Sequence, residues 1–275
     1  MRWHLLLTPP LAGADNMAID EALMARARRT GDGVVRVYSW ARPTLSFGRN
    51  QHARDAYDAE RARAAGVDVV RRTTGGRALL HHREITYSIT APVEPHDSLT
   101  HSYAAINQAL RAALRALAVA VEIAPGVGRL PPPGSAPCFE RPARGELTLD
   151  GRKLVGSAQC REGGAMLQHG SILVHDDQAI VAQLALAPVE VPPAATLWHA
   201  LGRAPGPREF AESLFAVVCR EWDGAATALD PSFALDDGGG SSHDAASGAT
   251  VDPRLEDDRR AARARFLDPA WTWRR

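Results

Sequence analysis

Glu146-Leu147-Thr148-Leu149-Asp150-Gly151-Arg152-Lys153-Leu154-Val155 sets an Asp-Gly pair between two alternating segments, the strongest short-range signal for a two-residue β-hairpin. Such a turn pairs Leu149 with Arg152, Thr148 with Lys153 and Leu147 with Leu154, so Lys153 shares a sheet face with Thr148 and the leucines take the other face. Downstream, 165–174 reads as a further strand. Upstream, Ile85, Tyr87 and Ile89 alternate with Thr86, Ser88 and Thr90, Val35 and Val37 alternate with Arg36 and Tyr38, and Val67-Asp68-Val69-Val70 follows Gly66. Leu5-Leu6-Leu7 reads as an edge strand. Helices are expected from a cap at Asp15 or Asn16 through Leu23, and from Asp55 to Ala65 with Gly66 as a left-handed C-cap. Tyr103, Ile106, Leu110, Leu114 and Leu117 recur at helical spacing across Ser98 to Leu117, and Phe210, Leu214, Val217 or Val218, and Trp222 mark a late helix. These elements mix without a regular βαβ rhythm, which places the chain in the α+β class. One domain over 1–228 is expected, then a Gly/Ser-rich flexible linker over 229–253 and a short arginine-rich helix and tail over 254–275.

The chain has 275 residues, enough for an ordinary core without disulfides or metal. Acidic and basic residues balance at 32 each, so no net field attracts nucleic acid or anionic lipid. The apolar run at the N-terminus is broken by Thr8, Pro9 and Pro10 and is too short for a signal peptide. No stretch approaches a membrane span. The odd set Cys138, Cys160 and Cys219 suits a reducing cytoplasm. Among the 32 basic residues Lys153 is the single lysine. In a chain that otherwise uses arginine, it suggests a task for a compact ammonium, which can approach one atom as a point charge and can lose its proton when buried; equally, one lysine had to fall somewhere.

Arg71-Arg72-Thr73-Thr74-Gly75-Gly76-Arg77 follows a strand, and adjacent glycines let backbone N–H groups approach a ligand. The pattern matches neither common nucleotide motif, and it fits a glycine turn with solvated arginines as well as a binding loop. Cys138 lies on a proline-framed loop, where catalytic residues concentrate, whereas Cys160 and Cys219 sit in a strand and a helix as core or bystander residues. A lone cysteine also serves as a small buried hydrophobe. His81, His82 and His169 lack a third ligand at recognisable spacing, so no zinc site is expected. A Cys-His protease matches these residue types and nothing else.

Four segments, in order and spacing over roughly 1–200, resemble the lipoate and biotin protein ligase superfamily, and within it the octanoyltransferases of the LipM type. They are Asp15 to Leu23, Arg71 to His81, Cys138-Phe139-Glu140 with Glu146-Leu147, and Gly151 to Gln159 with Leu167 to Leu173. The resemblance implies a mixed β-sheet with flanking helices around an acyl tunnel, and transfer of an octanoyl group from acyl carrier protein to a lysine of a lipoyl domain, such as glycine cleavage H protein or a dehydrogenase E2. It implies Cys138 as the thioester nucleophile and Lys153 as its partner. It assigns substrate-binding roles to Arg72, Gly75, Gly76, Arg77, His81, Gly156, Ser157 and His169, with no cofactor or metal. Ligases that activate lipoate with ATP usually carry a third glycine and then His-Asp; here Arg77 replaces that glycine and His82 stands in place of the aspartate. An ATP-dependent lipoate ligase and a noncatalytic acyl- or lipoyl-domain-binding protein are the alternatives.

A cysteine of pKa about 8.5 is about 3% thiolate at pH 7, and an ammonium that lowers the pKa by roughly two units raises ionisation about 25-fold. A Brønsted slope of about 0.4–0.5 returns about eight-fold of this, so the gain is about three-fold. Oxyanion stabilisation must therefore contribute, with N–H groups near Gly75-Gly76 or Gly156-Ser157 as candidates. The acceptor lysine must attack as a neutral amine, and Lys153 or His169 could take its proton.

Overall fold

The computed structural model describes residues 1–125, 139, 142–232 and 252–274; Cys138 and most of the expected linker lie outside them. In chain order the elements are β1 (Trp3–Leu7), α1 (Gly13–Thr30), β2 (Gly33–Tyr38), β3 (Thr44–Phe47), α2 (Ala59–Ala64), β4 (Asp68–Arg71), β5 (Leu79–His81) and β6 (Glu84–Pro92). There follow α3 (Leu99–Ala116), β7 (Glu122–Ile123), β8 (Leu147–Leu149), β9 (Arg152–Glu162), β10 (Ala165–Leu173), α4 (Ala179–Leu184) and α5 (Leu197–Leu201). The last elements are α6 (Pro207–Glu221), β11 (Thr227–Ala228), α7 (Leu255–Leu267) and α8 (Pro269–Thr272). Eight strands form one sheet in the order β11-β1-β2-β6-β10-β9-β8-β7, and β4-β3-β5 form a second. β1 runs parallel to β2 and β11, β3 runs parallel to β4, and the other pairings are antiparallel, so the fold is α+β with mixed sheets.

Strand alternation divides the large sheet into two buried faces. Val35, Val37, Ile85, Tyr87 and Ile89 pack with Leu110 and Leu114 of α3 and Phe210 and Leu214 of α6 in the main core. The residues between them, Arg36, Tyr38, Thr86 and Ser88, point the other way and are buried as well. Met17 and Ala18 of α1 join Tyr38, Trp40 and Val70 in a second cluster. A polar stripe of the sheet is thereby enclosed.

Several local expectations need correction. α1 begins at Gly13, with Ala12 at the N-cap. Asn16 instead donates to the Leu11 and Ser39 carbonyls, and Asp15 accepts from Arg263 of α7 at 2.7 Å. α2 starts later than expected, because Asp58 caps the N–H groups of Glu60 and Arg61. β1 is not an edge strand, since β11 pairs with its outer side. In the hairpin, Leu149 faces Arg152 and Thr148 faces Lys153, but an irregularity between Leu147 and Thr148 sets Leu147 opposite Val155 rather than Leu154. The α3 span and the left-handed Gly66 agree with the sequence reading, and Ser98 caps α3 by accepting from the His101 N–H.

α7 packs its Ala262 and Phe266 against Ala14, Met17 and Ala18 of α1. Beyond it the chain is held by Arg71, whose fully buried guanidinium donates to the carbonyls of Thr272 at 3.0 Å and Arg274 at 2.8 Å. The same side chain donates to Gly48 at 2.7 Å and Gln51 at 2.8 Å, and the Trp271 indole returns a bond to the Arg71 carbonyl. Each buried acceptor left unsatisfied costs about 1–3 kcal/mol. Arg71→Met should therefore lower the free energy of unfolding in urea by about 3 kcal/mol or more; an unchanged denaturation midpoint would contradict this clamp.

Candidate active site

A narrow pocket opens where the polar stripe of the large sheet meets the small sheet. Met17, Tyr38, Trp40 and Leu79 supply apolar wall, and Arg72, Gly76, His81, Gly156, Ser157 and His169 bring polar groups and open backbone. Six of the substrate-binding residues expected from the sequence thus line one cavity. Gly75 and Arg77 are not in its wall; their carbonyls accept from the Arg72 guanidinium at 3.2 and 2.9 Å.

Arg72 holds the glycine loop from beneath, since it also donates to the Ser46 carbonyl at 2.9 Å and bonds the Ser46 hydroxyl. Gly76 adopts φ +100°, and a Cβ on the facing Gly48 would lie 2.0 Å from the Gly76 oxygen. Loop and neighbour therefore approach at a distance only glycine permits. At Gly170 a Cβ would lie 2.5 Å from the Gly156 oxygen and 2.9 Å from Ser157 Oγ. The strands are pressed together at the floor of the cavity.

Beside Gly156 lies the single lysine. Lys153 Nζ stands 2.8 Å from Glu146 Oε1, with side-chain exposures of 4% and 5%, and 5.1 Å from the centre of the Phe139 ring. Phe139 is buried with Leu79, Leu173 and Ala194. Glu146 Oε2 accepts from the Ala143 N–H at 2.7 Å, which fixes the carboxylate. Cys138 lies outside the described residues. Cys160 has a thiol pushed by burial up to about 11, and so carries little thiolate at neutral pH; Cys219 lies on α6.

Two carboxylate–imidazole pairs sit under the pocket. His169 Nδ1 is 3.0 Å from Asp20 Oδ2, and its Nε2 is 2.7 Å from Thr74 Oγ1. Asp20 also accepts from Arg36 at 2.7 Å, Ser88 at 2.7 Å and Tyr38 at 3.1 Å. Burial alone would raise the Asp20 carboxyl pKa, but the His169 hydrogen bond, Arg36 and Ser88 hold it below the usual carboxylate value. His81 repeats the pattern with Nδ1 2.8 Å from Glu84 Oε1 and Nε2 2.7 Å from Ser46 Oγ, its ring stacked 3.9 Å from the Trp40 ring. Burial, with Arg72 and His169 acting the same way, pushes His81 below the ordinary imidazole value despite Glu84. His82 points elsewhere, to Asp177 at 3.2 Å.

Asp20, Glu84 and Glu146 are the site residues that the sequence reading missed. The signal for Asp20 was the Asn16–Asp20 pair, one turn apart on an otherwise apolar stretch. Among the described residues no cluster of three or more His, Cys, Asp or Glu could hold a metal, and no helix is long and apolar enough to cross a membrane.

The Asp20 carboxyl titrates lower in the folded chain than in the unfolded one. Its stabilisation is complete above the unfolded value near 3.9 and is lost as pH falls through the folded value. Urea unfolding between about pH 5 and about pH 3 should show stability falling with pH in the parent protein and a shallower slope in Asp20→Asn. Equal slopes would show that Asp20 is not ionised in this network.

Comparison with known proteins places this geometry among relatives. A 37% identical protein from Symbiobacterium thermophilum, named octanoyltransferase LipM, aligns over 73% of this chain and 79% of its own length. Proteins of the same name from Kyrpidia tusciae and Carboxydothermus hydrogenoformans are 45% and 44% identical over 66% and 64% of this chain, and the alignments span 70% and 66% of their own lengths. A lipoate-protein ligase A structure with bound ATP superposes with a TM-score of 0.74 at 19% identity, covering 99% of this chain and 98% of its own. The bipartite lipoate protein ligase of Thermoplasma acidophilum gives 0.72 at 18% identity, covering 99% and 96%; at that identity the likeness concerns the fold. The profile of the lipoyl protein ligase A/B catalytic domain matches residues 12–217, and the chain belongs to that family.

Proposed function

We propose that this chain is an octanoyltransferase of protein lipoylation, taking an octanoyl group from acyl carrier protein onto Cys138 and passing it to a lysine of a lipoyl domain. The observation that carries the activity is the name octanoyltransferase on relatives 37–45% identical over about two thirds or more of their length. The apolar and glycine-lined pocket suits an acyl chain, which needs dry wall and close backbone rather than charge. Lys153 beside it supplies a fixed ammonium, paired with Glu146, that favours negative charge on sulfur or on the thioester oxygen.

In the first half-reaction the Cys138 thiolate bonds to the donor's carbonyl carbon, the bond to the carrier sulfur breaks, and that sulfur leaves with the electron pair and takes up a proton. In the second, an amine displaces Cys138. Both steps pass through a tetrahedral oxyanion, and the loss of one donor to such a centre typically costs about 10²–10³ in rate.

Mass spectrometry after mixing with octanoyl carrier protein should show one added octanoyl group, absent from Cys138→Ala, without ATP. Strict ATP dependence with no acyl-enzyme would instead identify a lipoate ligase, and binding without turnover a noncatalytic protein. Lys153→Arg should lower acyl-enzyme formation at least about ten-fold, because a guanidinium replaces a point charge; full activity would remove Lys153 from the mechanism.

A further inference from the structure

We infer that Asn107 is a positioning residue for the Lys153–Glu146 pair: its buried amide anchors the turn that leads into Glu146 and ties that turn, through Gln168 and Tyr87, to the strand that carries Lys153. The inference rests on the reading above, in which the Lys153 charge takes part in acyl transfer, and deepens it.

The pair joins two separate pieces of chain. Lys153 lies on β9, whereas Glu146 follows a turn at Arg144 and Gly145, directly before β8. Both side chains are nearly closed to water, with Lys153 Nζ 2.8 Å from Glu146 Oε1. A buried ion pair offsets its desolvation only in good geometry, and a misplacement of about 1 Å near the chemistry costs about 10² in rate. Backbone bonds hold the turn on one side. The Gly145 N–H donates to the Ala124 carbonyl at 3.0 Å, the Ala124 N–H to the Glu146 carbonyl at 2.8 Å, and the Glu146 N–H to the Ala143 carbonyl at 3.1 Å. On the other side the Gly145 carbonyl is met by α3, where it accepts from Asn107 Nδ2 at 2.7 Å. One helical turn before Asn107, Tyr103 closes over Gly145, whose φ is +84° and on which a Cβ would lie 3.3 Å from the Tyr103 ring.

The Gly145 carbonyl sets the direction of a longer chain of bonds. A carbonyl only accepts, so Asn107 presents its amide nitrogen to it, and Asn107 Oδ1 then accepts from Gln168 Nε2 at 3.2 Å. The reversed Asn107 amide would set two oxygens face to face. Gln168 Nε2 also donates to the Tyr87 oxygen at 3.0 Å, which leaves the Tyr87 hydrogen for Ser157 Oγ at 2.8 Å. Ser157 lies on β9, the strand of Lys153. Asn107, Gln168 and Tyr87 are all buried. The chain of bonds thus starts on the residue before Glu146 and ends on the strand of its ion-pair partner, and Asn107 is the link between helix and turn. Asn107 is not in the wall of the pocket, so it acts through Glu146 and not on a ligand.

The single lysine makes the pair directly visible. The full chain produced with lysine labelled by ¹³C at the ε-carbon gives one such signal in its NMR spectrum, that of Lys153. Glu146→Gln should move this signal, because the charge facing the ammonium is lost. Asn107→Leu, which removes the donor to Gly145 at similar side-chain size, should move it in the same direction. Gly145→Ala, strained at φ +84° and pressed on Tyr103, should do likewise and supplies the test if Asn107→Leu does not fold. Ser213→Ala, which removes a different bond to α3, from Ser213 Oγ to the Ala113 carbonyl, should leave the signal at the parent position. In single-turnover acylation by octanoyl carrier protein, followed by mass, Asn107→Leu should slow the maximal rate about ten-fold or more, with the half-saturating donor concentration within about two-fold of the parent. The double variant with Glu146→Gln should react within about two-fold of Glu146→Gln alone, because Asn107 acts through the carboxylate already removed. A lysine signal unmoved in both Asn107→Leu and Gly145→Ala, a signal moved as far by Ser213→Ala, or rate losses that multiply in the double variant would overturn the inference and leave the thioester reading standing. A parent protein that is never acylated at Cys138 would overturn both.

Discussion

The buried guanidinium of Arg36 is the interaction on which the rest depends. It is fully enclosed, and a charge taken out of water persists only if each of its donors is met. Thr8 after β1, the Asn16 carbonyl and side chain, and Asp20 meet them at 2.7 to 3.1 Å, while the Tyr38 ring lies 3.8 Å from the cation. One side chain thus ties β1 and β2 to α1. It also keeps Asp20 anionic where burial would otherwise neutralise it, and an anionic Asp20 fixes the tautomer of His169. The requirement that holds the helix on the sheet therefore also sets the hydrogen on an imidazole in the pocket.

The neighbouring pair Arg71 and Arg72 divides a similar task. Successive residues leaving a strand point to opposite sides, and here Arg71 reaches the C-terminal carbonyls while Arg72 reaches those of the glycine loop. Neither is the solvated arginine that the bare motif allows. The tail is joined in this way to the wall of the pocket: Arg71 binds the Gly48 carbonyl, and Gly48 abuts Gly76.

What was legible in the sequence was what local chemistry determines. The α3 periodicity, the Asp-Gly turn, the left-handed Gly66 and the strand alternations all express preferences within a few residues. The misreadings share a physical cause. Asp15 and Asn16 looked like caps because their type favours caps, but distant partners, Arg263 and the Ser39 carbonyl, compete for them. The hairpin slipped at Leu147 because turn chemistry fixes register only near the turn. Alternation showed which residues share a face but not that both faces are covered. Thr86, Ser88 and His169 therefore carried no mark of being buried together, and Glu146 and Glu84 carried no mark of what they hold.

The lone lysine shows how a compositional oddity acquires a steric meaning. Among 31 arginines its retention is only suggestive. In the folded chain its stem lies back along its own strand, so that a Cβ on Gly156 would lie 3.2 Å from Lys153 Cε and 3.2 Å from the Phe139 ring. The slot between strand and ring takes a methylene stem ending in one compact charge, which reaches Glu146 Oε1. A guanidinium is planar and forked, and its second arm would have to displace Phe139 or push against backbone that is already glycine. Gly156, Phe139 and Glu146 thus select lysine by shape as well as by charge, so a composition that elsewhere favours arginine has reason to make its exception there.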